Sequence, residues 1–299
     1  MAQSDCRTGH RSFAMPLTIC CLVTFGCYFA VSMRLPVVPL YASGLGVSTP
    51  LIGVINAAFY LMAGLLAVPA GMLSDLFGRK RLAHTGALIL FAGMLFRIFA
   101  RSFFPLAVVY LLLGVGIAAF GPTMMSLVAD ISPATHLGRS YGWYTTALYT
   151  SMSFGPALGG VVAKEFGFLR VFLLSGTLIF FVFWMVLFLL PRVRLVLGSR
   201  PTKKQGAAVA KELFQNRPLL GCWLVSLGGC FGLGMFVTYI PLHAQDQGLH
   251  VGQIGLVFAL QGLCNALSRI PFGQLSDRVA KLGNLVVIGL VGFVASMLG

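Results

Sequence analysis

The 299-residue sequence predicts an all-α membrane protein made of two related halves, the second incomplete. Three observations carry that prediction. Hydrophobic residues are 58% of the chain and charged residues only 9%, against roughly 25% charged in an ordinary soluble domain. Apolar runs near or above the ~18 residues that span a bilayer recur along its length. Residues 39–75 reappear at 241–277 without a gap, identical at 14 of 37 positions. Pro39-Leu40 returns as Pro241-Leu242, Gly46 as Gly248 and Ile52-Gly53 as Ile254-Gly255. Pro69-x-Gly71-x-Leu73-Ser74-Asp75 returns as Pro271-x-Gly273-x-Leu275-Ser276-Asp277. Chance identity in such apolar stretches is roughly a tenth. Duplication on this scale in a membrane chain points to a transporter built from two related halves. A closed barrel would need alternating segments of about ten residues, and the sequence does not alternate that way.

The spans fall at 15–40, 51–73, 83–100, 105–128, 142–163, 169–190, 218–242 and 253–275, with a shorter ninth from 284 to the end. The first follows Arg7 and Arg11, as a secretory signal would. It runs too long for one, however, and lacks a clean small-residue cleavage site. Pro36 and Pro39 predict a bend near its far end. Gly78 predicts a tight turn between the second and third spans. Short loops make the remaining neighbours antiparallel. Residues 1–190 thus form a six-span half, 191–217 a basic linker and 218–299 an incomplete second half. The linker carries seven basic residues, Gly198, Pro201 and a short helical candidate at Ala207–Phe214. A complete duplication would need about 404 residues and twelve spans, so about nine of twelve are expected here. The chain reads as a fragment or a truncated product, not expected to transport alone.

The net charge of +14 is a topology signal, not a nucleic-acid footprint. With the N-terminus cytoplasmic, 15 of the 21 Lys and Arg lie in cytoplasmic segments. External loops hold only Arg101, Lys164 and Arg170. That asymmetry is the positive-inside rule. Arg34, Arg97 and Arg269 fall inside or at the ends of spans. Six of the seven cysteines lie in apolar spans, where Cys behaves as a small hydrophobe.

The strongest local motif is Gly71-Met-Leu73-Ser-Asp75-Leu-Phe-Gly78-Arg79-Lys80-Arg81. Gly71 is read as a place of close helix contact. A weaker copy, Gly273-x-Leu275-x-Asp277-Arg278, stands at the repeat spacing. Here the chain resembles the major facilitator superfamily, whose signature loop is G-x-L-x-D-x-x-G-R-[KR]. The resemblance covers essentially the whole chain and implies a major facilitator type helical bundle. It also implies a conformational latch of Gly71, Asp75, Gly78, Arg79, Asp130 and Asp277. Arg79 would pair with Asp130, and Asp75 would face a helix N-terminus of the opposite half. Both contacts are expected to hold in the outward-open state and to break when the cytoplasmic side opens.

Gly155-Pro156-Ala-Leu-Gly159-Gly160 in the fifth span bares one helix face for close packing. It resembles the end of a fifth-helix motif associated with antiporters and efflux proteins, with Ser151 where that motif has a Gly. In the fourth span the family often has an Arg four residues before G-x-G, used in proton coupling. Here Tyr110 precedes Gly114-Val-Gly116 at that spacing. Arg34 reads two ways. It is a cavity cation for an anionic substrate or an acid, or it snorkels to the interface. Arg97 and Arg269 are expected to snorkel. Asn56 with Tyr60, and Gln261 with Asn265 and Arg269, form polar stripes at helical spacing. They suit either substrate contact or interhelical hydrogen bonds. Phe29, Phe231, Phe236, Tyr239, Tyr149 and Met152 would offer an aromatic, adaptable cavity wall or ordinary packing.

No phosphate loop, catalytic triad or metal-ligand spacing appears, so neither an enzyme nor a cofactor is expected. The resemblance implies a monomeric, multi-pass inner-membrane carrier with a cytoplasmic N-terminus. Its expected partners are the bilayer, a small-molecule substrate and protons, with no nucleic acid. Proton-coupled drug efflux is the first reading. Transport of a small organic anion and a non-transporting sensor or scaffold are the alternatives.

Overall fold

The computed structural model describes residues 2–191 and 216–278, together with 283, 287–292 and 295. Among the described residues the fold is all helical, with no strand. The first seven helices are α1 (Ala2–Ser32), α2 (Val37–Gly44), α3 (Thr49–Phe77), α4 (Arg79–Phe99), α5 (Phe103–Ile131), α6 (Leu137–Phe166) and α7 (Phe168–Phe188). Two more follow, α8 (Arg217–Asp246) and α9 (Val251–Arg278). Nearly all of the linker, including Ala207–Phe214, lies outside the described residues, as does most of the ninth predicted span.

The first predicted span is two helices. Pro36 has no N–H to donate and disfavours a helical residue before it. The chain turns at Met33–Pro36, where Leu35 N–H reaches Ser32 O at 3.0 Å and Val37 N–H reaches Arg34 O at 3.1 Å. This turn carries α2 across the end of the bundle, where the Tyr41 hydroxyl donates to Ala100 O at 3.1 Å, just past α4.

Among the described residues six segments are long and apolar enough to cross a membrane: 14–44, α3, α4, α5, α7 and 223–246. At 30 residues α6 matches them in length but is less apolar, and in α9 the apolar stretch described is Val251–Asn265. The dilution in α6 has a physical cause. Ser140, Tyr144, Ser151, Ser153, Gly155 and Gly159 of α6 are buried against protein, so that helix needs no all-round apolar surface. α5 is the most buried span. A methyl on Gly114 would lie 2.5 Å from Phe59 O of α3, and one on Gly116 2.8 Å from the Leu90 side chain of α4. Large exposed apolar residues such as Phe96, Phe104 and Phe181 fit a surface wetted by lipid.

The internal duplication is also geometric. Gly46 follows α2 with φ +79°, and Gly248 follows α8 with φ +83°. In one copy Val47 N–H reaches Ala42 O at 3.1 Å, and in the other Leu249 N–H reaches Ala244 O at 3.0 Å. Ile52 and Ile254 are both buried in the next helix. A left-handed residue with a Cβ is strained by about 1–2 kcal/mol. Gly46→Ala and Gly248→Ala should therefore each lower stability by about that amount, checked by thermal unfolding in detergent.

Candidate functional site

The α3–α4 junction gathers charge. Gly78 turns the chain at φ +97°, with its N–H on Ser74 O at 3.1 Å. Arg79, Lys80 and Arg81 then open α4, where the positive end of the helix dipole disfavours cations. Two acids offset that cost. Arg79 Nε donates to Asp130 Oδ2 at 2.9 Å, and a terminal nitrogen pairs with Asp75. Arg79 is only 12% exposed, whereas Asp75 is 61% exposed. Lys80 Nζ donates to Leu190 O at 2.7 Å, just past the end of α7. Among the described residues, Asp75 meets its own neighbour rather than a helix N-terminus of the second half. Among the described residues a methyl on Gly71 would meet nothing within 4 Å. The side chains of Asp277 and Arg269 lie outside the described residues.

The other end of the bundle is where α8 and α9 meet the first half. Asn56 Nδ2 donates to Thr238 Oγ1 at 3.2 Å. The Tyr239 hydroxyl stands 2.9 Å from where a Cβ on Gly53 would lie. α6 and α9 cross backbone to backbone: a methyl on Gly160 would lie 2.7 Å from Val251 O and 2.9 Å from the Gly255 Cα. Gly155 admits the end of α1, through Phe29 and Ser32, and Gly159 admits Met33 of the turn after it. Ser151 fits the same seam, and its carbonyl accepts from the Ser32 hydroxyl at 3.1 Å. α6 runs through Pro156 without a break. At 1.5 Å per residue, Gly53 and Asp75 stand roughly 33 Å apart along α3.

Between these ends, on the inner face of the first half, lies a cavity of about 280 Å³. Arg34, Tyr28, Phe59, Tyr60, Pro122 and Met152 line it. Arg34 is 2% exposed. Its guanidinium carbon sits 3.8 Å from the Phe59 ring centre and 4.9 Å from that of Tyr110. Arg34 thus lines the cavity rather than reaching the interface. Snorkelling is prevented because the turn at Met33–Pro36 holds Arg34 inside the bundle.

Arg97 corrects a sequence expectation. It does not snorkel, and its exposure is 0%. Its guanidinium lies 4.4 Å from the Phe172 ring, and Nη2 donates to Ser175 Oγ at 3.1 Å. Nη2 also contacts Met94 Sδ at 2.9 Å. Tyr110 is fully buried, its hydroxyl close enough to the guanidinium to interact with it, although among the described residues neither that hydroxyl nor Nε and Nη1 makes a well-aligned hydrogen bond.

The remaining predicted residues separate. Asn56 makes an interhelical hydrogen bond, while Tyr60 of the same stripe faces the cavity. Gln261 and Asn265 are exposed on α9, and Tyr149 is half-buried. Of the six residues proposed for an aromatic wall, Met152 is the one on this cavity. Phe29 stacks on Phe25, and Phe236 packs edge-on against Phe258. Sequence reasoning missed Tyr28, Phe59 and Thr238. Phe59 and Tyr28 look like any other aromatic in a span, and only the inward turn of Arg34 distinguishes them.

The model of the Major Facilitator Superfamily matches residues 20–299. An uncharacterized MFS-type transporter of Methanocaldococcus jannaschii is 26% identical over 271 residues, covering 89% of this chain and 69% of that protein. The multidrug resistance protein MdtG of Proteus mirabilis is 26% identical, covering 86% and 67%. The multi-drug resistance efflux pump PmrA of Streptococcus pneumoniae is also 26% identical, covering 86% and 66%. Among solved structures, an inward-facing bacterial homolog of the human lysosomal transporter Spinster superposes with TM-score 0.72 at 18% identity, over 90% of this chain and 63% of that one. A D-xylose-proton symporter superposes with TM-score 0.65 at 13% identity, over 88% and 69%. The chain spans about two thirds of the length of these relatives.

Proposed function

The chain belongs to the major facilitator superfamily, and on that footing we propose that its reading frame encodes a monomeric carrier that exports small molecules by alternating access, coupled to protons. The observation that carries this reading is the arrangement of the two halves. Among the described residues they touch from the Gly53 and Gly160 end inward to Ser153 and Gly262, the cavity lies on the inner face of the first half, and the basic α3–α4 junction meets no residue of the second half. With the basic end in the cytoplasm, as the positive-inside rule argues, this is an inward-facing state. The relatives named as multidrug efflux proteins support export. The proton is assigned by family. The described acids with resolved side chains, Asp75, Asp130, Glu165 and Asp246, are all exposed.

The expected latch needs restating. Arg79 and Asp130 both belong to the first half, so rigid rocking of the halves does not part them. Asp75, largely exposed here, is the member whose surroundings change with state. Asp75→Asn should lower turnover at least tenfold with little change in stability, measured as dye efflux from everted vesicles expressing the whole reading frame. Efflux should collapse when a protonophore removes the gradient. Turnover unchanged by Asp75→Asn would remove the latch, and dye binding without flux would favour a sensor. A small organic anion is the second reading for the solute, favoured by the buried Arg34.

A further inference from the structure

We propose that the Arg34 guanidinium is the anchor for a carboxylate on a ligand whose remaining body is aromatic or apolar. This deepens the carrier reading above and rests on it. The Arg34 side chain is almost wholly buried, yet among the described residues its guanidinium makes no ion pair and its Nε has no hydrogen-bond partner. What holds it is two aromatic faces, Phe59 at 3.8 Å and Tyr110 at 4.9 Å. A ring attracts the face of the guanidinium plate. The N–H groups point outward in the plane of that plate, in a fork that matches a carboxylate. The two rings hold the guanidinium at the cavity wall without using its N–H donors.

Among the described residues no acid compensates the charge of the cavity. The described acids with resolved side chains are all exposed and away from it. Arg97, beyond Tyr110, adds a second buried positive charge close enough to repel the first. Burying a cation without a partner is costly. Such a site selects an anion and disfavours lipophilic cations. Tyr28, Tyr60, Pro122 and Met152 supply the apolar wall around it, and Met is suited to ligands of varied outline.

A matched pair of probes tests the assignment on the purified chain in nanodiscs at pH 7: 2-naphthoate and the neutral, isosteric 2-naphthamide. By calorimetry the carboxylate should bind at least tenfold more tightly. That preference should vanish in Arg34→Gln, persist in weakened form in Arg34→Lys, and be unaffected in Arg170→Gln, which removes an exposed cation. Absence of a preference in the native chain, including absence of any binding, overturns the proposal. So does a preference that survives Arg34→Gln. If Arg34 instead pairs with an acid elsewhere in the protein, Arg34→Gln would lower the melting temperature and change both probes alike, which also overturns it. Dye efflux without carboxylate preference removes the site and leaves the carrier. Preference without flux of any solute removes the carrier and leaves the site.

Discussion

Gly160→Val is expected to separate α6 from α9. Even a single methyl at this position would lie 2.7 Å from Val251 O and 2.9 Å from the Gly255 Cα. Both are backbone atoms, so no rotamer change relieves the clash, and one helix must move. Overpacking a well-packed interface costs about 1–3 kcal/mol, more where backbone is the obstacle. The readout is a disulfide across the same seam. A Cβ on Gly252 would stand 3.7 Å from the Lys164 Cβ, within the ~3.5–4.5 Å range of disulfide-bonded residues. Lys164→Cys with Gly252→Cys should therefore cross-link readily, scored as the disulfide-linked peptide by mass spectrometry. Adding Gly160→Val should lower the yield at least tenfold, and adding Gly255→Val should do the same. Undiminished cross-linking would show that the seam is not set by those glycines.

Arg97→Met should raise stability by about 1–3 kcal/mol. Arg97 is fully buried, and Nε and Nη1 lack acceptors. Each orphaned donor on a charged group carries a desolvation cost of about 1–3 kcal/mol or more. The hydrogen bond to Ser175, the contacts with Met94 Sδ and Phe172, and the nearby Tyr110 hydroxyl return only part of it. Methionine keeps much of the length and removes the charge. Ser175 is not stranded, because its hydroxyl already donates to Phe172 O at 3.0 Å. Arg97→Ala should do the opposite, since the cavity left by truncation typically costs about 2–5 kcal/mol. Thermal unfolding in detergent should therefore place Met above the native chain and Ala below it. A Met variant that melts lower would mean that the guanidinium has a partner strong enough to outweigh its burial.

The fate of the two span-end arginines shows how far local sequence carried the reading. Pro36 announced a break after Arg34, and the break is there. Its consequence for Arg97 was not legible. A cation at the last turn of a span normally reaches the interface, but α2, displaced by that break, lies over the end of α4 through Tyr41 and Ala100. Snorkelling was blocked by a helix 60 residues earlier in the chain. The turn at Gly78 was legible because a backbone at φ +97° admits little but glycine.

The two copies of the Ile-Gly pair have come to rest against unlike material. Gly255 bears on the bare backbone of Gly160, whereas Gly53 bears on the tip of the Tyr239 ring. A ring can swing aside by rotating one side-chain bond, on a scale of picoseconds to nanoseconds when unhindered. A backbone crossing opens only when an entire helix shifts, on the scale of microseconds or slower. The closed mouth of the protein therefore has a stiff side and a loose side. Whatever first leaks through it should pass beside Tyr239.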